Sequence, residues 1–201
     1  MKKLVVYIHG KGGSANESEH YKSIFRDCDV LGLDYKSQTP WDARVEFCDF
    51  FDDMREKYDF VTVIANSIGA FFAMNALSAR HVDCAFFISP IVDMEKLILN
   101  MMALSNITEN DLREKQEITT SFGEKLSWKY LSYVREQPII WKIPTHILYG
   151  ENDALTSHEI IFGFADKIGA SLTVMKGGEH WFHTDAQMKF LDEWLKKCEQ
   201  I

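Results

Sequence analysis

The chain has 201 residues, 46% of them hydrophobic, which is enough for one sizeable core and short for two, so a single domain over 1–201 is expected. A formal net charge of -8 argues against nucleic acid as a partner, because affinity for a polyanion comes mainly from Lys and Arg neutralising phosphates. No run approaches the roughly eighteen apolar residues of a membrane span, the apolar stretch after Met1 is too short for a signal peptide, and Cys28, Cys48, Cys84 and Cys198 lack metal-ligand spacing. A cytoplasmic protein with reduced thiols is expected.

In chain order, strands are expected over Lys3 to Ile8, Val30 to Asp34, Phe60 to Ala65, Cys84 to Ser89, Thr145 to Tyr149 and Ser171 to Met175. They are short, rich in β-branched and aromatic residues and almost continuously apolar, as strands buried on both faces are. Helices are expected between them, at about Ser18 to Arg26, Trp41 to Lys57, Ile68 to Ala79, Ser157 to Ile168 and Thr184 to Glu199. In the last, Thr184 is a plausible cap ahead of Met188, Leu191, Trp194 and Leu195 at helical spacing. This alternation predicts an α/β fold, a mostly parallel sheet of about six strands with helices on both faces.

The stretch of about 91–143 breaks the rhythm. It shows no strand, a methionine-rich amphipathic helix (Met94, Leu97, Ile98, Met101, Met102, Leu104), a polar helix around Thr108 to Glu117 and an aromatic one around Trp128 to Val134, and it reads as a helical insertion. A methionine stripe serves either as core or as an adaptable ligand wall.

In an open parallel sheet, chemistry gathers at the carboxyl ends of the strands. Four such ends carry candidate groups. The first is the glycine-rich turn His9-Gly10-Lys11-Gly12-Gly13-Ser14, which lacks the spacing of a Walker phosphate loop. The second is Ala65-Asn66-Ser67-Ile68-Gly69, where Ser67 is either a helix cap or a nucleophile on a sharp strand-to-helix turn. The third is Gly150-Glu151-Asn152-Asp153, where Asp153 is either a turn-former or a charged partner. The fourth is Gly177-Gly178-Glu179-His180-Trp181-Phe182-His183, whose two histidines lack a third residue at metal-ligand spacing. No metal is expected.

Serine, acid and histidine in that order, each directly after a strand, match one serine hydrolase arrangement. On these residues the chain resembles the α/β-hydrolase superfamily, in particular its small lysophospholipase-like or carboxylesterase-like esterases, over nearly its whole length. The resemblance implies a compact form without the first two antiparallel strands, with the insertion as a short helical cap. It implies Ser67 as nucleophile, His180 as general base and then acid, Asp153 as the residue that orients the histidine, and the backbone N–H groups of Lys11 and Ile68 as the oxyanion hole. Ala65 departs from the glycine usual at its position. His183 competes with His180, and Asp93 with Asp153; position in the pattern favours His180 and Asp153.

The expected activity is hydrolysis of carboxylic esters of small to medium acyl groups through an acyl-enzyme. The acyl group would rest on Met94, Leu97, Ile98, Met101 and Met102 if they face the crevice. A thioesterase, acyltransferase, amidase or peptidase shares the same triad, and a noncatalytic ligand-binding relative shares the same fold. No cofactor is expected. The expected partner is a small-molecule ester, and the sequence leaves homo-oligomerisation open.

Overall fold

A computed structural model describes residues 1–199. The chain divides into two compact units, one made of Met1–Val92 together with the segment from Ile140 onward, the other of Asp93–Ile139.

The larger unit is built on a six-stranded, wholly parallel sheet. Its strands are β1 (Lys3–Ile8), β2 (Asp29–Gly32), β3 (Phe60–Asn66), β4 (Cys84–Ile88), β7 (Thr145–Gly150) and β8 (Ser171–Met175), in the order β2-β1-β3-β4-β7-β8. The register sets Ile8 beside Ala65, Ala65 beside Phe87, and Ile88 beside Leu148, so the carboxyl ends of the central strands come level. Alternation divides the side chains between two faces. Val5, Tyr7, Ile64, Phe86, Ile88 and Leu148 form one core with Tyr21, Ile24 and Phe25 and with Leu191, Trp194 and Leu195 of the last helix, α7 (Asp185–Glu199). The helices α1 (Pro40–Arg55) and α2 (Ile68–Leu77) pack together and against β3. Phe47 and Phe51 of α1 and Phe71 and Phe72 of α2 are buried. Apolar all round, α2 is buried along nearly its whole length, as such a helix must be. α6 (His158–Ile168) packs beside β8 and is capped by Ser157, whose hydroxyl accepts from the Ile160 N–H.

The first expected helix is instead a 3-10 segment, Ala15–Ser23. Its buried residues Ser18 and Tyr21, continued by Ile24, recur every three positions, the repeat of a 3-10 rather than an α-helix. The second strand lies one residue earlier and ends two residues sooner than expected, although the Leu33 N–H still reaches the Tyr7 carbonyl at 2.9 Å.

The smaller unit contains α3 (Met94–Leu104), α4 (Glu109–Lys115) and α5 (Trp128–Glu136), with Asp93, Thr108 and Ser127 as their caps. Arg135 of α5 ties the three helices together through Glu95 at 2.7 Å and a bidentate pair with Glu109 at 2.8 Å. Contrary to the expectation of no strand here, β5 (Glu117–Thr119) and β6 (Lys125–Ser127) form an antiparallel hairpin. Its turn is set by Gly123 at φ 90° and by Thr120, whose hydroxyl accepts from the Glu124 N–H at 2.9 Å. Three-residue strands are too short to show a period-two pattern, which is why this hairpin was not expected. Among the described residues no helix is long and apolar enough to cross a membrane.

Phe47, fully buried on α1 and edge-on to Tyr35 at 5.1 Å, tests the α1–α2 side of the core. Phe47→Ala is expected to cost about 3–5 kcal/mol, read as a lowered urea midpoint with an unchanged slope.

Candidate active site

Ser67 is the single residue between β3 and α2, and it is held at φ 50°, ψ -120°. Such a backbone costs an L-residue about 1–3 kcal/mol and persists only where its surroundings fix it. Here the Ser67 N–H donates to the Ile88 carbonyl at 3.0 Å, and the Ser67 carbonyl accepts from the N–H groups of Ala70 and Ile91, each at 3.2 Å. Two residues on, a Cβ at Gly69 would lie 2.3 Å from the His9 carbonyl oxygen, so only glycine lets the first turn of α2 close onto the end of β1. Ala65, by contrast, is buried in register between Ile8 and Phe87, and the sheet accommodates its methyl.

The Ser67 hydroxyl makes no helix-capping bond. It lies 2.8 Å from His180 Nε2, while His180 Nδ1 lies 2.7 Å from Asp153 Oδ2. An ionised carboxylate can only accept, so Nδ1 carries the proton and Nε2 presents its lone pair to the hydroxyl of Ser67. The Asp153 side chain is wholly shielded from solvent and that of His180 is 18% exposed. The other carboxylate oxygen of Asp153 accepts from the N–H groups of Leu155 at 2.8 Å and Thr156 at 3.0 Å. Thr156 is anchored in turn: its carbonyl accepts from the Tyr149 hydroxyl at 2.7 Å and its own hydroxyl donates to the Pro90 carbonyl at 3.3 Å. Burial, and then the charge of Asp153, raise the Tyr149 phenol above its ordinary pKa, which keeps it a donor.

Asp153 and His180 sit on separate loops, after β7 and after β8. These loops are joined backbone to backbone. The Asn152 N–H donates to the Gly178 carbonyl at 2.7 Å, and the Glu151 N–H to the Met175 carbonyl at 3.0 Å. A Cβ on Gly150 would lie 2.4 Å from the Glu179 carbonyl oxygen.

Lys11 lies in the turn closed by the Gly13 N–H on the Gly10 carbonyl at 3.1 Å. That turn runs beside Ser67, since a Cβ on Gly10 would stand 3.3 Å from the Ser67 Cβ. Ile68 is the first residue of α2, where an N–H has no intrahelical acceptor. Ser67, Asp153 and His180 are therefore brought together, with Ile68 next to the serine in the chain and the turn that contains Lys11 beside it.

His183 is exposed and turned elsewhere. Its Nδ1 is 2.8 Å from the Trp181 carbonyl, and its ring stacks on the Trp181 indole at 4.4 Å. Asp93 serves as the cap of α3, accepting from the Lys96 N–H at 2.8 Å. On α3, Met94, Ile98 and Met102 are buried along one face, while Leu97 and Met101 are half-buried. Among the described residues no group of three or more His, Cys, Asp or Glu could hold a metal ion.

No protein-family model and no curated protein matches the chain in sequence. Solved structures match it in fold. Est1E from Butyrivibrio proteoclasticus is 18% identical and superposes with a TM-score of 0.79, covering 99% of this chain and 87% of its own. Alpha/beta hydrolase domain-containing protein 10 from mouse is 17% identical with a TM-score of 0.78, covering 98% and 89%. A lipase-esterase related protein from Clostridium acetobutylicum is 14% identical with a TM-score of 0.66, covering 97% and 93%. The chain has the α/β-hydrolase fold.

The loop contact gives a direct test. Gly150→Ala is expected to lower stability by about 1–3 kcal/mol, because the added methyl meets backbone rather than a movable side chain. Urea unfolding checks this; an unchanged midpoint would show that the two loops yield freely.

Proposed function

We propose that the protein is a serine hydrolase that cleaves carboxylic esters of small to medium acyl groups through an acyl-enzyme. The observation that carries this reading is the run from Ser67 Oγ to His180 Nε2 at 2.8 Å and on from His180 Nδ1 to Asp153 Oδ2 at 2.7 Å. Support comes from the α/β-hydrolase fold shared with proteins described as esterases or as lipase-esterase related.

A serine hydroxyl is a weak nucleophile at neutral pH, so His180 Nε2 takes its proton as Oγ attacks the ester carbonyl. The imidazolium so formed is held and compensated by the Asp153 carboxylate, which stays ionised. The N–H groups of Lys11 and Ile68 stabilise the oxyanion of the tetrahedral intermediate, and each such donor is worth about 3–4 kcal/mol in the transition state. Collapse expels the alcohol, which receives the proton from His180. Water then enters, gives its proton to the same nitrogen and attacks the acyl-serine, releasing the acid and restoring Ser67. No step needs a cofactor. The location we propose is the cytoplasm. A thioesterase, acyltransferase, amidase or peptidase would use the same groups, and competition between substrate classes separates them.

Treatment with a fluorophosphonate followed by peptide mapping is expected to give a single adduct on Ser67 that is absent from Ser67→Ala and His180→Ala. A folded wild-type protein that forms no adduct would instead be a ligand-binding relative. Asp153→Asn keeps an acceptor for Leu155 and Thr156 but turns an amide donor toward the imidazole, and it is expected to reduce kcat by about 10²–10⁴-fold. In a series of p-nitrophenyl esters the rate should fall beyond medium chains; a rate still rising at the longest chain would overturn the acyl-size assignment. Est1E is known with ferulic acid bound, which adds feruloyl esters to the panel.

A further inference from the structure

Behind the glycine-rich turn lies a second polar chain that the triad does not use. Tyr7, on β1, is fully buried. Its hydroxyl donates to Glu17 Oε2 and accepts from Asn66 Nδ2 at 2.8 Å. Glu17 Oε1 accepts from the Ser14 N–H at 3.0 Å. A Cβ on Gly13 would lie 2.8 Å from the same oxygen, so the turn that carries Lys11 rests directly on this carboxylate. At the other end, Asn66 immediately precedes Ser67. The Gly10 position also touches both, since a Cβ there would lie 3.5 Å from the Asn66 carbonyl oxygen and 3.3 Å from Ser67 Cβ.

The direction of this chain is fixed by chemistry. Glu17 can only accept, so the Tyr7 hydroxyl must give it its single proton, and only the donor end of the Asn66 amide can then face Tyr7. Burial above all, with the Glu17 carboxylate adding to it, pushes the Tyr7 phenol far above its ordinary pKa, so the donor is retained at any working pH. One consequence is that Asn66 Oδ1 is left buried without a hydrogen-bond partner. Such an orphan costs about 1–3 kcal/mol, which a residue kept for stability alone would avoid.

We propose that Glu17 is a positioning residue: through Tyr7 and Asn66 it sets the distance between the turn bearing the Lys11 N–H and the elbow bearing Ser67 and the Ile68 N–H. This rests on the serine hydrolase reading above. The two donors of the oxyanion hole come from different elements, and the Glu17–Tyr7–Asn66 chain runs from one to the other.

Glu17→Gln keeps size but breaks the polarity. Either the Tyr7 hydroxyl or the Ser14 N–H then meets an amide donor. With p-nitrophenyl acetate this variant is expected to lower kcat about tenfold with KM within about twofold, less than the loss of a whole oxyanion donor. Tyr7→Phe should give a similar loss. In the Tyr7→Phe background Glu17→Gln should change kcat by less than about twofold, because residues in one network are not additive. If Tyr7→Phe does not fold, Asn66→Ser takes its place in the cycle. A Glu17→Gln enzyme with wild-type kcat, a loss confined to KM, or losses that multiply would overturn the proposal. Fluorophosphonate labelling of the wild type separates the two levels. Failure to label Ser67 defeats the hydrolase reading itself, whereas labelling of wild type and Glu17→Gln at equal rates defeats only the role of Glu17.

Discussion

A carboxylate cut off from water must be given hydrogen-bond donors, and around Asp153 that requirement organises one end of the sheet. Two of its donors, the Leu155 and Thr156 N–H groups, come from its own turn, and the third is the His180 imidazole from the next loop. Leaving out any one of them would leave part of a buried charge unpaired, at a cost well above that of an ordinary hydrogen bond. The backbone bonds from Asn152 to Gly178 and from Glu151 to Met175, and the bare Gly150 and Gly178 at their contact, hold the two loops where that third donor can reach. Once the imidazole is committed to Asp153 through Nδ1, Nε2 is left for the hydroxyl of Ser67. The tautomer of the histidine therefore follows from the burial of its partner.

The legible parts of this arrangement were those written in local pattern. Buried parallel strands read as short apolar runs, and all six were visible from Lys3 to Met175 together with the residues that follow them. The order of Ser67, Asp153 and His180 along the chain could be read because each lies just past a strand. Gly69 could be noticed as small, but its reason, the approach to the His9 carbonyl, belongs to the pairing of β1 with β3. Glu17 was hidden differently. Its signal was present as Ser14-x-x-Glu17, the spacing by which a glutamate reaches back to a helix-start N–H. The expected helix began four residues later than Ser14, and nothing local reveals that the second oxygen of the same carboxylate meets a tyrosine from inside the sheet. The β5–β6 hairpin was hidden because six paired residues, with one buried side chain among them, carry no period.

Strain and unmet polarity meet at the carboxyl ends of β3 and β4. Ser67 at φ 50° and Ser89 at φ 43° are both non-glycine residues in the left-handed region, and they follow neighbouring paired strands. Two buried oxygens without a partner, Asn66 Oδ1 and Ser89 Oγ, lie on the same two strand ends. Elsewhere the local choices agree with the fold: Thr39, Thr108, Ser127 and Ser157 cap the helices they precede, and α2 is as apolar as its burial demands. At these two adjacent strand ends a positive φ and an unmet buried oxygen therefore occur together, a local inconsistency of the kind that persists only where the surroundings fix it.

That inconsistency persists because the rest of the sheet over-determines the elbow. Ser67 is held through its N–H by the last residue of β4 and through its carbonyl by Ile91, so its backbone cannot relax without breaking the β3–β4 pairing. Ser89 is held in the same way by its N–H on the Leu148 carbonyl of β7. The strained residues are therefore tied across three adjacent strands, β3, β4 and β7, the last of which leads into the Asp153 turn. The acid and the serine share a frame even though 86 residues separate them in the chain, which is the difference between positions 153 and 67. Relief of strain at either serine would have to break hydrogen bonds to the neighbouring strand, Ser67 to β4 and Ser89 to β7. The strain is small, about 1–3 kcal/mol per residue, beside the several ladder bonds that resist its release.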